Sequence, residues 1–294
     1  MSDVASVPEV FSRPGAWSSG LSTNDFAACV SSGLKPLGFV QGCCVVSWNF
    51  YTSNFSALGG GFGGNRRPTG YFEQYNCPHG MVSAEHRSYG LNYEKTWIEE
   101  TWTAALQLAT DRLLAEAREL GAHGVIGIVE RAEHHGDTSS FEFSLSGTAV
   151  GVAGVPLPAV PFTTFLAGQK LNKLVESGFT PVAIALTIAE VGVYASCITE
   201  YQLRGGNQWA WGGVGNGEVD QVARAHTAAR SLARERIRAQ LDGDVLHAAA
   251  LVVRSHENQE GPQIEVVVRG NRVRRFRAPE ETEPPRPVVS LVDR

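Results

Sequence analysis

Residues 116–150, EARELGAHGVIGIVERAEHHGDTSSFEFSLSGTAV, decide the fold of this 294-residue chain. A run compatible with a helix ends at Gly121, because glycine readily adopts the left-handed conformation that closes helices. Two apolar segments follow, residues 124–131 and 141–150, and the polar residues between them are typical of a hairpin turn. The stretch therefore predicts a helix followed by two antiparallel strands.

The residues before this stretch complete a structural unit. From about residue 92 to residue 120, apolar side chains recur every three or four positions, which is typical of a helix that packs on a sheet. They are Ile98, Trp102, Ala105, Ala109, Leu113, Ala117 and Leu120. Residues 37–46 are apolar and β-branched, which favours a strand, and a short helix with Ser22 or Thr23 as its N-cap precedes that strand. The predicted order of the unit is β-α-β-β.

A weakened copy of the stretch occupies residues 239–273, and matching positions extend through both halves of the chain. Near the start of each half, residues match at a distance of 145 positions: Ser32, Gly33 and Pro36 with Ser177, Gly178 and Pro181. In the two final strands, residues match at a distance of 123 positions: Val129, Arg131, Glu142, Gly147 and Val150 with Val252, Arg254, Glu265, Gly270 and Val273. The smaller distance places an insertion between the first strand and the helix of the first unit. The shared order predicts a duplication, with the second helix at about residues 218–241.

This organisation divides the chain into five parts. Residues 1–20 are rich in Ser, Pro and Gly and predict a flexible tail. Residues 21–152 form the first unit with its Gly-rich and CPHG insertion, residues 153–161 a linker, and residues 162–277 the divergent second unit. Residues 278–294 form a Pro-rich, acidic tail whose last apolar side chains could bind a protein partner as a short peptide. The predicted fold class is α+β, with two tandem β-α-β-β units, each a helix packed on a small antiparallel sheet.

Composition and charge narrow the class of protein. The net charge of -5 and the pI near 5.9 argue against nucleic-acid binding, since phosphate contacts need a sustained positive field. The N-terminal residues lack the basic and apolar blocks of a signal peptide. No window reaches the roughly 20 apolar residues of a membrane span. We therefore expect a cytoplasmic protein with neither a membrane nor a nucleic acid as partner.

The insertion contains candidate metal ligands. Cys77 and His79, with His86 nearby, offer thiolate and imidazole groups for zinc or another transition metal. Because this region lacks a Cys-x-x-Cys pair, the alternative is a packed loop that binds no metal. The cofactor is therefore unknown. Five cysteines without a secretion signal indicate free thiols, and His226 is interpreted as an interior histidine. The remaining cysteines are interpreted as small apolar core residues: Cys29, Cys43, Cys44 and Cys197.

These motifs resemble the YbjQ-like family, whose members are often labelled heavy-metal-binding domains. The resemblance is carried by LGAHGVIGI at residues 120–128, SGTAV at residues 146–150, and Tyr93-Glu94-Lys95 at the start of the long helix. The openings of the two units, residues 21–42 and 165–186, are similar to those of tandem members. The resemblance covers about residues 21–277 and implies a dodecin-like fold, with pentameric rings in single-unit members. The second unit departs from the family pattern, with GDVLH at residues 243–247 in place of LGAHG.

The sequence favours a structural function. It contains no nucleophile elbow, zinc-protease motif or dinucleotide fingerprint in a credible structural setting, so we predict that the protein is not an enzyme. A β-α-β-β unit has one helix for three strands, which leaves sheet edges and one face for neighbours to cover. We therefore predict a non-enzymatic, ring-forming scaffold protein whose partner is itself, as a pentameric or pseudo-decameric ring. The units could alternate in one ring or lie in two stacked rings, and stacked rings are preferred. The alternative function is a metal- or small-ligand-binding module that uses the Cys77 and His79 loop or clefts between subunits.

Overall fold

The structure is a computed structural model that describes residues 18–47, 91–135, 140–195, 199, 202–203, 217–258 and 261–277. Within these ranges the fold is α+β, as predicted, with four helices and eight strands. In chain order they are α1 Thr23–Ser31, β1 Leu34–Ser47, β2 Leu91–Glu94, α2 Thr96–Glu119, β3 Gly124–His135, β4 Ser140–Val152, β5 Phe162–Thr163, α3 Gly168–Glu176, β6 Phe179–Tyr194, α4 Asp220–Ala239, β7 Val245–Asn258 and β8 Gly261–Arg275.

The strands form two four-stranded sheets. Sheet 1 has the strand order β1-β4-β3-β5, and sheet 2 has the order β2-β6-β8-β7. All neighbouring strands are antiparallel except β3 and β5, which are parallel. Strand β2 precedes α2 in the chain yet lies in sheet 2, and β5 precedes α3 yet lies in sheet 1. Each half of the chain therefore contributes one short strand to the sheet of the other half.

Helix α2 lies between the two sheets. One core contains its apolar stripe together with Phe143 of sheet 1 and with Leu186 and Ile188 of β6 in sheet 2. A second core lies between sheet 2 and α4 and contains Ala185 and Ala189 of the same strand. Successive strand residues point to opposite faces, so α2 and α4 cover opposite faces of sheet 2. The layers follow in the order sheet 1, α2, sheet 2, α4.

The apolar stripe predicted for α2 is confirmed, since six of its residues are buried: Ile98, Trp102, Ala105, Ala109, Leu113 and Ala117. The alanines let the helix lie directly on β1, where a Cβ at Gly42 would come within 1.9 Å of the Ala109 carbonyl oxygen. The Trp102 ring packs on Phe141 and Phe143, with 5.5 Å and 5.3 Å between ring centroids. Burying each of these large side chains contributes about 1.5–3 kcal/mol.

Element boundaries differ from the prediction at the start of α2. The helix begins at Thr96 and not near residue 92, because residues 91–94 extend as β2 and pair with β6. The predicted N-cap of α1 is confirmed at Ser22, whose hydroxyl accepts a hydrogen bond from the Asp25 N–H at 3.2 Å. None of the helices in the described ranges is long and apolar enough to cross a membrane.

The strands of the two sheets pair in the same register. Strands β1 and β6 each have a bulge just after a proline, Pro36 and Pro181, which are 145 positions apart. Every residue pair between β1 and β4 has a counterpart between β6 and β8, at distances of 145 positions in the first strand and 123 in the second. The two sheets therefore present corresponding residues at corresponding places.

In β3 and β7, the residues that occupy corresponding places in the two sheets are not the residues matched in the sequence. Arg131 pairs with Ser144, and Val252 pairs with Val267, which lies 123 positions after Ser144. The structural counterpart of Arg131 is therefore Val252, and the match of Arg131 with Arg254 is wrong by two residues. The physical reason is that the β7–β8 hairpin is two residues longer than the β3–β4 hairpin. A constant offset cannot follow the chain through a turn of changed length.

Candidate assembly interface

The halves of the chain meet first at β2. Residues 91–94 pair antiparallel with residues 191–194 of β6. The Tyr93 ring stacks on Tyr194 with 4.5 Å between ring centroids. It also lies over Gly192, where a Cβ would come within 2.4 Å of the ring. Glycine at position 192 is therefore needed for β2 to join sheet 2.

A buried ion pair follows β2. The Lys95 ammonium lies 2.9 Å from a Glu190 carboxylate oxygen, and the two side chains are only 7% and 5% exposed. The Lys95 N–H also donates to the Glu190 carbonyl oxygen at 2.9 Å. Lys95 is the N-cap of α2, where the helix dipole disfavours a cation. The Glu190 carboxylate from the other half offsets this cost, so the pair ties the start of α2 to sheet 2.

Side chains of α4 bind the outer edge of β6 beside this pair. Arg236 donates to the Ile188 carbonyl oxygen at 2.8 Å and forms an ion pair with Glu94 of β2. One turn later, the Gln240 side chain accepts from the Leu186 N–H at 3.3 Å and donates to the Leu186 carbonyl oxygen at 3.0 Å. Arg236 therefore holds the strand edge of its own half and a carboxylate of the first half.

The same arrangement occurs on β1 in the first half. Arg112 of α2 donates to the Cys43 carbonyl oxygen, and Glu116 accepts from the Gln41 N–H at 2.8 Å. Each helix therefore places an arginine, and one turn later a Glu or Gln, on the edge of the strand that begins its unit. Among the described residues, β1 has no strand on this edge.

A buried amide fixes the other end of β2. Gln221 of α4 donates to the Tyr194 carbonyl oxygen at 2.7 Å and to the Asn92 side-chain oxygen at 3.2 Å. Asn92 in turn donates to the Gln221 carbonyl oxygen at 3.0 Å. Because Gln221 is only 3% exposed, losing these bonds would leave buried polar groups unpaired. The amides therefore specify the position of β2 on sheet 2.

The second half of the chain contributes β5 and the residues after it to sheet 1. Strand β5 pairs in parallel with residues 124–125 of β3. The Thr163 hydroxyl accepts from the Ile184 N–H at 2.9 Å, and the Thr164 hydroxyl donates to the Asn271 side-chain oxygen at 2.7 Å. Asn271 is 1% exposed and also donates to the His247 carbonyl oxygen. This segment therefore contacts both sheets through buried hydrogen bonds.

A second ion pair joins the sheets alongside α2. A carboxylate oxygen of Glu130 in β3 lies 3.5 Å from Arg269 in β8. Burial raises the pKa of the Glu130 carboxyl, and the positive charge of Arg269 opposes that rise. The pair is less buried than Lys95 and Glu190, because the Arg269 side chain is 48% exposed. It supports the arrangement of the halves less strongly for that reason.

The candidate metal ligands Cys77, His79 and His86 lie outside the described residues, and the metal site stays a prediction. Within the described ranges, no group of three or more His, Cys, Asp or Glu side chains is placed to hold a metal ion. His123 is instead structural, because it accepts from the Val152 N–H at 3.2 Å and its other ring nitrogen contacts the Val155 carbonyl oxygen at 2.9 Å. An accepting Nδ1 requires the proton on Nε2, which donates to Val155.

The three thiols of the described residues fall into two groups, and Cys197, which was predicted to be in the core, lies outside those residues. Cys29 and Cys44 are buried, as predicted, and burial raises the pKa of both thiols. Cys43 is exposed, so its assignment to the core is wrong. The reason is strand alternation, since Cys44 faces α2 and Cys43 faces the other side of sheet 1. The assignment of His226 to the interior is also wrong, because it is only half-buried and lies 3.4 Å from the Ser255 hydroxyl.

Comparison with known proteins adds one relative and no family. No family model matches the chain. The chain is similar to the encapsulin nanocompartment protein Rv1762c of Mycobacterium tuberculosis, with 26% identity over 235 residues. The similar region covers 78% of this chain and 74% of that protein.

Proposed function

We propose that this protein is a non-enzymatic, self-assembling structural protein of a nanocompartment or a related scaffold. The similarity to an encapsulin nanocompartment protein supports a structural function, since it extends over 78% of the chain. The buried contacts between the halves point the same way, because they join structural elements of the chain to one another.

The observation that carries the proposal is the unequal covering of the two sheets. Sheet 2 has α2 and α4 on its two faces. Sheet 1 has α2 on one face, and among the described residues only the short helices α1 and α3 pack near Ile126 and Val150 at one end of its other face. On the other face of sheet 1, Phe39, Val45 and Val129 are 43%, 65% and 63% exposed. An open strand edge and exposed apolar side chains on one sheet face favour association with another protein surface. A second copy supplies such a surface without any further component.

We include in this proposal that the chain consists of two duplicated units of the YbjQ-like type, assembled as a pentameric or pseudo-decameric ring. The equal register of β1 with β4 and of β6 with β8 supports the duplication. The matching arginine contacts of α2 and α4 with the first strand of each unit support it as well.

The test is the mass of the purified full-length chain. Native mass spectrometry and light scattering should give a multiple of the 31.6 kDa chain mass at micromolar concentration, and negative-stain microscopy should show rings or closed particles. A protein that stays monomeric throughout this concentration range would contradict the proposed function. Particles of undefined size would contradict the ring, because a closed symmetric assembly has a fixed number of subunits.

A further inference from the structure

The contact between the halves uses different surfaces on its two sides. The first half supplies β2, Lys95 and α2, and the second half supplies the edge of β6 and the face of sheet 2 that lies away from α4. Such a contact is heterologous and can repeat from copy to copy. The corresponding surfaces, at the start of α4 in the second half and on β1 and sheet 1 in the first half, are therefore candidates for a contact between chains.

Corresponding positions follow from the backbone contacts. Arg112 binds the Cys43 carbonyl oxygen and Arg236 binds the Ile188 carbonyl oxygen, so the helices correspond at a distance of 124 positions and the strands at 145. The starts of the helices, Thr96 and Asp220, agree with this distance. By the same distances, Val219 is the counterpart of Lys95, and Val45 is the counterpart of Glu190.

These counterparts have changed together. Lys95 and Glu190 are a buried ion pair within the chain, whereas both of their counterparts are valines. Val45 is 65% exposed on the edge strand of sheet 1, although Glu190 is 5% exposed at the same place in sheet 2. A change of only one member would set a charge against an apolar side chain. Two valines at these positions suit a second contact of the same geometry, because an apolar side chain then meets another apolar side chain.

The neighbouring positions agree. Glu218 is the counterpart of Glu94, which pairs with Arg236, and it is exposed before the start of α4. Half-buried Leu106 and buried Leu114 of α2 have exposed Arg230 and Arg238 as counterparts in α4.

The face of sheet 1 that lies away from α2 offers these arginines the opposite charge. It carries Glu133 and Glu142, which lie opposite each other on β3 and β4, and Glu133 already forms an ion pair with Arg131 of its own strand. Two carboxylates beside one arginine leave this part of the face acidic, which suits the basic side chains of an α4 from another copy.

We propose that copies of this chain associate head to tail by repeating the contact between the halves. Val219 of one copy lies on Val45 of the next, and the backbone of residues 217–219 extends along the edge of β1 at residues 45–47. Glu218 pairs with Arg112 of the next copy, as Glu94 pairs with Arg236 within the chain. Units from the two halves then alternate around one ring. This inference rests on the proposed self-assembly and names its contact.

The test introduces an ion pair like that of Lys95 and Glu190 at the positions of the proposed contact between chains. Val45→Glu and Val219→Lys are made singly and together, and the dissociation of the assembly is followed by native mass spectrometry and light scattering. Each single variant should dissociate at least about tenfold more readily than the wild-type protein, since it buries an unpaired charge. The double variant should return to within about tenfold of the wild-type protein, because the charges face each other. Val160→Glu is the matched control, because Val160 is 62% exposed in the linker.

The outcomes separate the two proposals. A monomeric wild-type protein overturns the proposed function. An assembled wild-type protein whose dissociation is unchanged by Val45→Glu overturns the head-to-tail contact and leaves self-assembly standing. Two weakened single variants without recovery in the double variant also overturn the contact, since the residues would not face each other. An unchanged far-UV circular dichroism spectrum and a cooperative melting transition of the dissociated single variants show that their folds are intact, because Val45 is exposed within the chain.

Discussion

Replacing Glu190 by glutamine should destabilise the protein far more than the loss of an equally close ion pair on the surface. The side chains of Lys95 and Glu190 are 7% and 5% exposed with 2.9 Å between their charged atoms. Glutamine keeps the size of the side chain and removes its charge, which leaves the Lys95 ammonium buried at a helix N-terminus. Removing one partner of a buried pair costs about 3–5 kcal/mol.

Thermal melting followed by circular dichroism measures this loss. In a chain of this size, each kcal/mol shifts Tm by about 2–4 °C, so Glu190→Gln should lower Tm on the order of 10 °C. Arg131→Gln is the control, because Arg131 and Glu133 lie 2.6 Å apart with side chains 76% and 49% exposed. Its loss should be below about 1 kcal/mol. All variants are compared at one protein concentration, since assembly makes Tm depend on concentration.

A double variant, Lys95→Met with Glu190→Leu, tests the physical cause. Well-packed apolar side chains often replace a buried ion pair without loss, or with a gain of about 1–4 kcal/mol. The double variant should therefore melt near the wild-type protein or above it. A Glu190→Gln variant with the Tm of the wild-type protein would refute this expectation, since water would then screen the ion pair. A double variant that melts below Glu190→Gln would refute it as well, because desolvated charge would not be the source of the loss.

Three further predictions concern the core, pH and metal binding. Gly42→Ala should lower the free energy of unfolding by about 1–3 kcal/mol in denaturant titrations, because its Cβ would meet the backbone of α2 at 1.9 Å. Two arginines of β8 lower the pKa of Asp244. The stability that Asp244 gives the folded protein is therefore present above the ordinary aspartate pKa of about 3.9 and is lost as pH falls through the folded value. Asp244→Asn should flatten that part of the profile of stability against pH, and an unchanged acid profile would contradict this. If the insertion binds metal, elemental analysis should find about one zinc or other transition-metal ion per chain that is lost on joint replacement of Cys77, His79 and His86; full metal content in that variant would exclude the site.

Periodic features of the fold could be predicted from the sequence. The stripe of α2 repeats every three or four residues, and burial of the stripe follows from that spacing alone. The distance of 145 positions between β1 and β6 was also readable, because no residue is gained or lost within those strands. Strand β2 could not be predicted, since four residues show too little periodicity and their partner lies about 100 positions later. Residues 92–94 were assigned to the helix for that reason.

The residues of the candidate interface could not be predicted from the sequence, for a different reason. Lys95 is recognisable as part of a motif, but Glu190 is not, because a single charged residue carries no periodic signal and its burial depends on a distant partner. A usable signal did exist in the comparison of the halves. The position of Lys95 is Val219 in the second half, and the position of Glu190 is Val45 in the first half. That comparison needs the helix distance of 124 positions, which the shared arginine contacts and the helix starts define in the structure.

The difference between the two contacts has a physical cause under the proposed assembly. The sheet face that meets α2 within the chain carries Leu186 and Val267, whereas its counterpart on sheet 1 carries Gln41 and Ser144. The contact within a chain forms as the chain folds, so the face around its buried ion pair can be largely apolar. The contact between chains is exposed on every copy before assembly, and a polar face with few apolar anchors such as Val45 limits indiscriminate aggregation. Making that face apolar, with Gln41→Leu and Ser144→Val together, should therefore strengthen assembly but increase aggregation at high protein concentration, whereas a soluble variant with unchanged dissociation would contradict this division.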